Sequence, residues 1–274
     1  MINMTTIDYL INYLLKENSN LKINKKPTTF NEAFTIYRSL VNIRPAKAIT
    51  QEYLEKEDHL LQEYIETNKN ITKIEDIKTL IATHPDSNIE NKNKIALWQG
   101  DITSLQIGAI VNAANSQGLG CFVPCHNCID NQINTYAGIR LRLECDKHMK
   151  TINYNLPTGE AFTTKGHNLK AEHVIHTVGP IITGTVTQKQ EQQLANCYIN
   201  TLKQAKQNNI KTVAFCCIST GEFRFPKTLA SQIAIKTVDE FLENDDSFEK
   251  IVFNVYSEDD KNVYEKTIRT YQRN

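Results

Sequence analysis

Ala109-Ile110-Val111-Asn112-Ala113-Ala114-Asn115-Ser116 is a short apolar run that ends in two amides separated by two small side chains. Its opening residues show no polar alternation, which suits a strand buried on both faces of a sheet. Comparable β-rich runs occur at 95–98, 161–164, 173–178, 212–218 and 251–255. Helical patterns lie between them at 132–148, 188–208, 227–243 and 258–272. Helices alternating with buried strands predict an α/β fold, with a parallel or mixed sheet covered on both faces. Ligands of such sheets sit outside the carboxyl ends of the strands.

Before residue 90 the period is helical. Ile7, Leu10, Ile11, Leu14 and Leu15 form an i, i+3, i+4 stripe, with Thr5 and Asp8 placed as a capping box. Pro27-Thr28-Thr29 introduces a second stripe of Phe30, Ala33, Phe34, Tyr37, Leu40 and Val41, which Arg44-Pro45 stops. A third runs through Leu54, Leu60, Leu61, Tyr64 and Ile65, and a short fourth through Ile74, Ile77, Leu80 and Ile81. The expected division is a helical extension over 1–90, too small to fold alone and packed on a main domain over 91–274.

The 274 residues carry 31 Lys+Arg against 31 Asp+Glu. Zero net charge speaks against nucleic acid as the main partner, because phosphate binding wants a basic excess. No run approaches the ~18 apolar residues of a membrane span, and Met1 to Lys16 lacks the basic start of a signal peptide. Seven cysteines, clustered with histidine, fit reduced thiols and a metal in the cytosol better than a disulfide framework. A cytoplasmic monomer is expected.

The cluster is Cys121-Phe122-Val123-Pro124-Cys125-His126-Asn127-Cys128, with Asp130 two positions later. Sulfur and imidazole at this density suit zinc. Three ligands, Cys121, His126 and Cys128, would leave a fourth position open and make a catalytic site; Cys125 as a fourth ligand would close it and make it structural. Adjacent residues rarely aim both side chains at one ion, so Cys125 is read as a non-ligand. A Cys125/Cys128 redox pair is the remaining alternative. Asp130 either caps the helix that follows or serves the metal site.

Other segments carry a local and a functional reading side by side. Asp101, after Gly100, either caps the next turn or accepts from an exocyclic amine. Asn112 and Asn115 either make a turn or bind sugar hydroxyls. Ser219-Thr220-Gly221-Glu222-Phe223-Arg224-Phe225-Pro226 precedes a helix and forms a natural anion cradle suited to a diphosphate. Phe223 either stacks on a ribose or fills the core. His176, on an apolar strand, is read as a satisfied core histidine, and Cys145, Cys197, Cys216 and Cys217 as small buried hydrophobes.

Gly100-Asp101-Ile102-Thr103, Ile110 to Asn115, Pro157-Thr158-Gly159-Glu160-Ala161, Val174 to Pro180 and Ile218-Ser219-Thr220-Gly221, in this order, resemble a macrodomain of the MacroD type over residues 94–272. In that type a glycine run precedes the active-site Asp. Here Cys121 to Cys128 replaces it, which looks like the zinc-containing macrodomains associated with class M sirtuin operons, which are protein-ADP-ribose hydrolases.

The resemblance implies a three-layer α/β/α fold with a central mixed sheet. It implies that Asp101 and the Ile102 backbone hold adenine, that Asn112 and Asn115 line the distal ribose, and that Ser219, Thr220, Gly221, Glu222 and Phe223 wrap the diphosphate. One Zn2+ per chain would sit on Cys121, His126 and Cys128, with Asp130 and Asn115 at the chemistry. Zinc with a free position would lower the pKa of bound water towards ~7 or fix ribose hydroxyls, and Asp130 would orient or deprotonate the water. The implied substrate is an ADP-ribosylated protein, Asp- or Glu-linked, with a lipoyl-carrier protein as a reasonable target. Two other readings remain at this point: a non-hydrolysing ADP-ribose reader, and an interaction module with a structural zinc.

Overall fold

A computed structural model describes residues 4–23 and 25–272. Three helices come first: α1 (Met4–Glu17), α2 (Phe30–Ile43) and α3 (Gln51–Asn68). A short strand β1 (Thr72–Lys73), a 3-10 turn at Ile74–Asp76 and a single-turn α4 (Leu80–Thr83) follow. The remainder runs β2 (Ile95–Gln99), β3 (Leu105–Gln106), β4 (Ala109–Ala113), α5 (Ile129–Ala137), α6 (Ile139–Thr151), β5 (Ala161–Lys165), β6 (His173–Thr177), α7 (Gln188–Gln207), β7 (Thr212–Phe215), α8 (Lys227–Glu243), β8 (Lys250–Val255) and α9 (Glu258–Thr270).

Six strands pair in the order β2-β8-β7-β4-β6-β5. All neighbours are parallel except β5, which runs antiparallel to β6. The sheet is therefore mixed, and helices cover both faces. On one face a row of rings, Tyr198 of α7, Phe215 of β7, Phe253 of β8 and Tyr264 of α9, runs with centroids 4.9, 6.4 and 5.5 Å apart. On the other, Phe162 of β5 stacks on His148 of α6 at 4.2 Å. Successive strand residues point to opposite faces: Thr163 bonds Gln204 of α7, while Thr164 bonds His176 beneath α6. The architecture is the α/β/α sandwich that the sequence predicts.

Local differences from the sequence reading have physical causes. α1 starts at Met4, ahead of the Thr5 expected to cap it. Capping boxes form at α2, where Thr29 accepts from the Glu32 N–H and the Glu32 carboxylate accepts from the Thr29 N–H, and at α7 between Thr187 and Gln190. The predicted 132–148 helix is two helices broken at Gly138 (φ 84, ψ 179). The fourth stripe is not a continuous helix, and its Ile77 and Leu80 join the core of the sheet. The strand at 212–218 ends at Phe215.

Helices α1 to α3 build a second apolar cluster from Ile7, Leu10, Tyr37, Tyr53, Leu60 and Leu61, and Ile139 of α6 completes it. Glu57 sits fully buried at this joint. It accepts from the Tyr37 hydroxyl at 2.6 Å and from the Ile139 N–H at 2.8 Å. It thus caps α6 from another element, where Gly138 has no side chain to offer. Arg142 of α6 reaches back to the carbonyls of Val41 and Arg44, both at 2.7 Å.

Burial pushes Glu57 up to about 7, against the bonds from Tyr37 and Ile139 that favour its charge. The unfolded chain loses this proton near 4.5 while the folded chain keeps it to about 7, so stability falls as pH rises through that window and is flat above it. Glu57→Gln is expected to remove that slope, which amounts to at most ~3 kcal/mol. Glu57→Ala strands three buried donors, the Tyr37 and Tyr53 hydroxyls and the Ile139 N–H, and should cost about 3 kcal/mol at neutral pH. Urea unfolding of the three proteins across this pH range checks both outcomes; parallel stability curves for wild type and Glu57→Gln would contradict the first.

Candidate metal centre and ligand cleft

Parallel strands end on one edge of a sheet, and β2, β4 and β7 bring Asp101, the Asn112–Asn115 pair and Ser219 to that edge. At the centre of the edge is Asp130, in the first turn of α5 and 4% exposed. Asn112 of β4 donates to its Oδ1 at 2.8 Å. Asn115 donates to its Oδ2 at 3.4 Å and to the Gly120 carbonyl at 3.1 Å. Asn134, one helical turn further on, donates to Asp130 Oδ1 at 3.1 Å and to its carbonyl at 2.9 Å. Three amides therefore enclose one carboxylate. Burial pushes Asp130 up to about 6, while Asn112 and the Arg142 charge pull the other way; an anion at neutral pH results. The helix N-terminus favours the same state.

The helix cap is not Asp130. Cys128 takes that place, its Sγ accepting from the Asn131 N–H at 3.4 Å. The ligand atoms of Cys121, His126 and Cys128 lie within 4.8 Å of one another, with Cys121 Sγ 3.8 Å from His126 Nδ1. His126 Nε2 faces Glu222 Oε1 at 3.7 Å, which sets this loop beside the 219–223 segment. Cys125 is turned away. Its left-handed backbone (φ 53) directs its N–H to Asn42 Oδ1 at 2.9 Å and its thiol to the Thr35 carbonyl, both on α2. Arg38 of α2 holds the loop from the same side, at the His126 carbonyl (2.6 Å) and Asn131 Oδ1 (2.8 Å).

This donor set fits zinc. Burial pushes the Cys128 thiol up to about 12, with the charges of Cys121 and Asp130 adding to it. Two thiolates share so small a volume only when a cation sits between them. Soft sulfur with imidazole is what zinc takes, and Cys125 contributes no fourth donor.

Asp101 performs its local role: its carboxylate accepts from the Thr103 N–H (2.9 Å) and hydroxyl (2.6 Å), capping the 102–104 turn that carries buried Ile102. It is also paired with Lys69, from the end of α3. Burial works to raise its pKa, but Lys69 and Thr103 outweigh that and hold it below the ordinary range. Lys69 Nζ lies 3.7 Å above the Tyr136 ring. These groups, with Tyr64, Trp98 and Gly100, line a cavity of about 440 Å³.

In the 219–225 loop, Ser219 and Arg224 are left-handed, and Phe225 N–H bonds back to the Ser219 carbonyl at 2.9 Å. Phe225, not Phe223, fills the core; Phe223 is half-buried. A Cβ on Gly221 meets nothing within 4 Å, so the loop faces open space just ahead of α8. β2 and β4 are three positions apart in the sheet, about 14 Å at ordinary strand spacing. A ligand touching both Asp101 and Asn115 must be long, and the open 219–223 loop after β7 lies between them.

Residues 111–234 match the family model for the Macro domain. A protein-ADP-ribose hydrolase of Treponema medium is 43% identical over 258 residues, covering 94% of this chain and 96% of that protein. The chain belongs to the macrodomain family. A second protein-ADP-ribose hydrolase, of Staphylococcus aureus strain Mu50, is 40% identical over 267 residues, 97% of this chain and 96% of that one. Among solved structures, the Trypanosoma brucei macrodomain in complex with ADP-ribose superposes with a TM-score of 0.64 at 29% identity, over 84% of this chain and 94% of that one. The Oceanobacillus iheyensis macrodomain with ADP gives 0.59 at 35% identity, over 66% and 93%.

Sequence reasoning missed four residues that this macrodomain brings to the site: Asn134, Lys69, Arg38 and Asn42. Asn134 was within reach, since i+4 from Asp130 on a helix is a neighbour. The other three lie in the helical extension, and no local pattern announces a contact tens of residues away.

Gly120 is left-handed (φ 87), and a Cβ there would lie 2.7 Å from the Asn134 amide. Gly120→Ala should lower stability by about 1–3 kcal/mol. Gly184→Ala, whose Cβ would meet nothing within 4 Å, should leave it nearly unchanged. Paired chemical denaturation curves measure the contrast, and equal losses would refute it.

Proposed function

We propose that this macrodomain is a zinc-dependent hydrolase that removes ADP-ribose from mono-ADP-ribosylated protein, at an Asp- or Glu-linked modification. One observation carries the reading. The loop that gathers Cys121, His126 and Cys128 runs directly into the helix bearing Asp130, and Asp130 is bonded to both amides at the end of β4. In this reading Asp101 and the Ile102 backbone take the adenine end, Ser219 to Phe223 the diphosphate, and Asn112 with Asn115 the distal ribose.

Cleavage at the ribose anomeric carbon develops oxocarbenium character, and an anionic carboxylate nearby stabilises it. Asp130 orients a water and accepts its proton as the water oxygen bonds to that carbon; the target carboxylate leaves with the electron pair of the broken bond. Asn115, bonded to Asp130 Oδ2, fixes the carboxylate plane. A zinc ion on Cys121, His126 and Cys128 would supply Lewis-acid polarisation of an oxygen at the scissile sugar.

We extend the proposal to a lipoyl-carrier protein as target and to a cytosolic monomer. Seven free cysteines support a reducing compartment. Among the described residues no helix is long and apolar enough to cross a membrane.

The test is release of ADP-ribose from Asp/Glu-, Ser- and Arg-linked substrates, with metal content measured alongside. Cys121→Ser, His126→Ala and Cys128→Ser should each lose about 100-fold or more in turnover together with their zinc. Cys125→Ser should keep both. Asp101→Ala should act on KM, leaving kcat nearly intact. Undiminished release by the three ligand variants, or after chelation, refutes the zinc role; no release by the wild type would leave a binding module.

A further inference from the structure

Beneath the Asp130 pocket is a buried relay that these roles do not use. His176 of β6 is 1% exposed, and both of its ring nitrogens are engaged. Nδ1 lies 3.1 Å from Asn112 Nδ2, and Nε2 lies 2.9 Å from Thr164 Oγ1. An amide nitrogen only donates, so Nδ1 accepts and carries no proton. Nε2 then holds the ring proton and donates to Thr164, whose own hydroxyl donates to the Val174 carbonyl at 3.4 Å. That carbonyl can only accept. With Nδ1 accepting, the chain runs from Asn112 to His176 to Thr164 to backbone, and Cys145 Sγ is a second neighbour of Nε2 at 3.7 Å.

The other N–H of Asn112 goes to Asp130 Oδ1. Both of its protons are committed, and its Oδ1 is buried with no protein partner. Turning the amide over would set that oxygen against two acceptors at once, a carboxylate and an imidazole nitrogen. The contacts follow from strand register, which pairs Asn112 with His176 and Thr164 with Val174. Phe162 stacks on the His176 ring at 4.7 Å and on His148 beyond it. Burial, with a smaller contribution from His148, drives the His176 pKa down to about 3, so the ring stays neutral.

We infer that His176 is a positioning residue. As the neutral Nε2–H tautomer it decides which way the Asn112 amide faces, so that Nδ2, and not Oδ1, meets the Asp130 carboxylate. The kinetic part of this inference rests on the hydrolase reading above; the tautomer does not.

Histidine nitrogen resonances of labelled wild type, assigned against His176→Asn, read the tautomer directly. A neutral Nε2–H ring between pH 6 and 8 is expected, and an Nδ1–H tautomer or an imidazolium overturns the inference whatever the protein catalyses. His176→Asn keeps an acceptor near the Nδ1 position, whereas His176→Leu does not. The Leu variant should lose about 10- to 50-fold in kcat, the range one buried polar contact carries, with thermal stability recorded alongside. The Asn variant should recover to within about threefold of wild type. A Leu variant at the wild-type rate, or a folded Asn variant as impaired as Leu, overturns the inference. If the wild type releases no ADP-ribose, its calorimetric affinity for free ADP-ribose replaces kcat in the same comparison, which separates failure of the hydrolase reading from failure of this one. Should the Leu variant not fold, the Asn variant and the resonances decide.

Discussion

A carboxylate can be kept ionised inside a protein only if fixed dipoles replace the water it has lost. Asp130 obtains them from Asn112, Asn115 and Asn134, each on a different part of the chain: a strand, the turn after it and the helix that carries Asp130 itself. An isolated buried anion would cost several kcal/mol and would take a proton to avoid it. With three amides and a helix N-terminus the group stays within about two units of its ordinary value. The placement of β4 against α5 is thus set by polar satisfaction as much as by apolar packing. Small residues at Ala113 and Ala114 between the two amides of β4 let the turn close tightly enough to reach.

The same elements tie the helical extension to the pocket. α2 touches the metal loop through Arg38, Asn42 and the Thr35 carbonyl, and α3 delivers Lys69 to Asp101. Both ends of the ligand cleft therefore have a partner in the first 70 residues. Glu57, Tyr37 and Ile139 fix the joint between those helices and α6. A structural consequence follows for Cys125. Its side chain and its N–H both belong to α2 contacts, so the extension withdraws one sulfur from the cluster and leaves three donors, not four.

Much of the fold was legible because buried parallel strands write themselves as apolar runs: five of the six β-rich runs are parallel strands of the sheet, and the sixth is its antiparallel edge strand β5. The break at Gly138 was not legible: a glycine inside a helical pattern reads as tolerated, and only the Glu57 carboxylate arriving from α3 makes it a boundary. The cluster at 121–128 was visible from spacing alone, and the exclusion of Cys125 from the group of three agrees with a steric expectation for adjacent residues. Asp101 shows why local and functional readings need not compete. One of its oxygens caps the turn, and the other faces Lys69. What local pattern could not supply was the far partner of each group, since Lys69, Arg38 and Arg142 act across sequence separations that carry no periodic signal.

Arg142 links the metal loop, the helical extension and the Asp130 pocket through one side chain. It is 6% exposed, and its bonds go to carbonyls: Leu119 at 2.7 Å, just ahead of the metal loop, and Val41 and Arg44 at the end of α2. Its ring contact is Phe122, with the guanidinium carbon 4.4 Å from the centroid. None of these partners is charged, so the guanidinium is not neutralised by direct contact, and burial lowers its pKa to about 10. The charge that answers it is Asp130, which favours the cation as the cation favours the anion. A lysine could supply the charge but not a planar fork reaching three carbonyls on two segments. Arg142 therefore adds to the three amides that make a buried Asp130 tolerable, and it also fixes the approach to Cys121 and clamps the extension. Loop geometry and pocket electrostatics are set by the same residue and cannot be altered separately there.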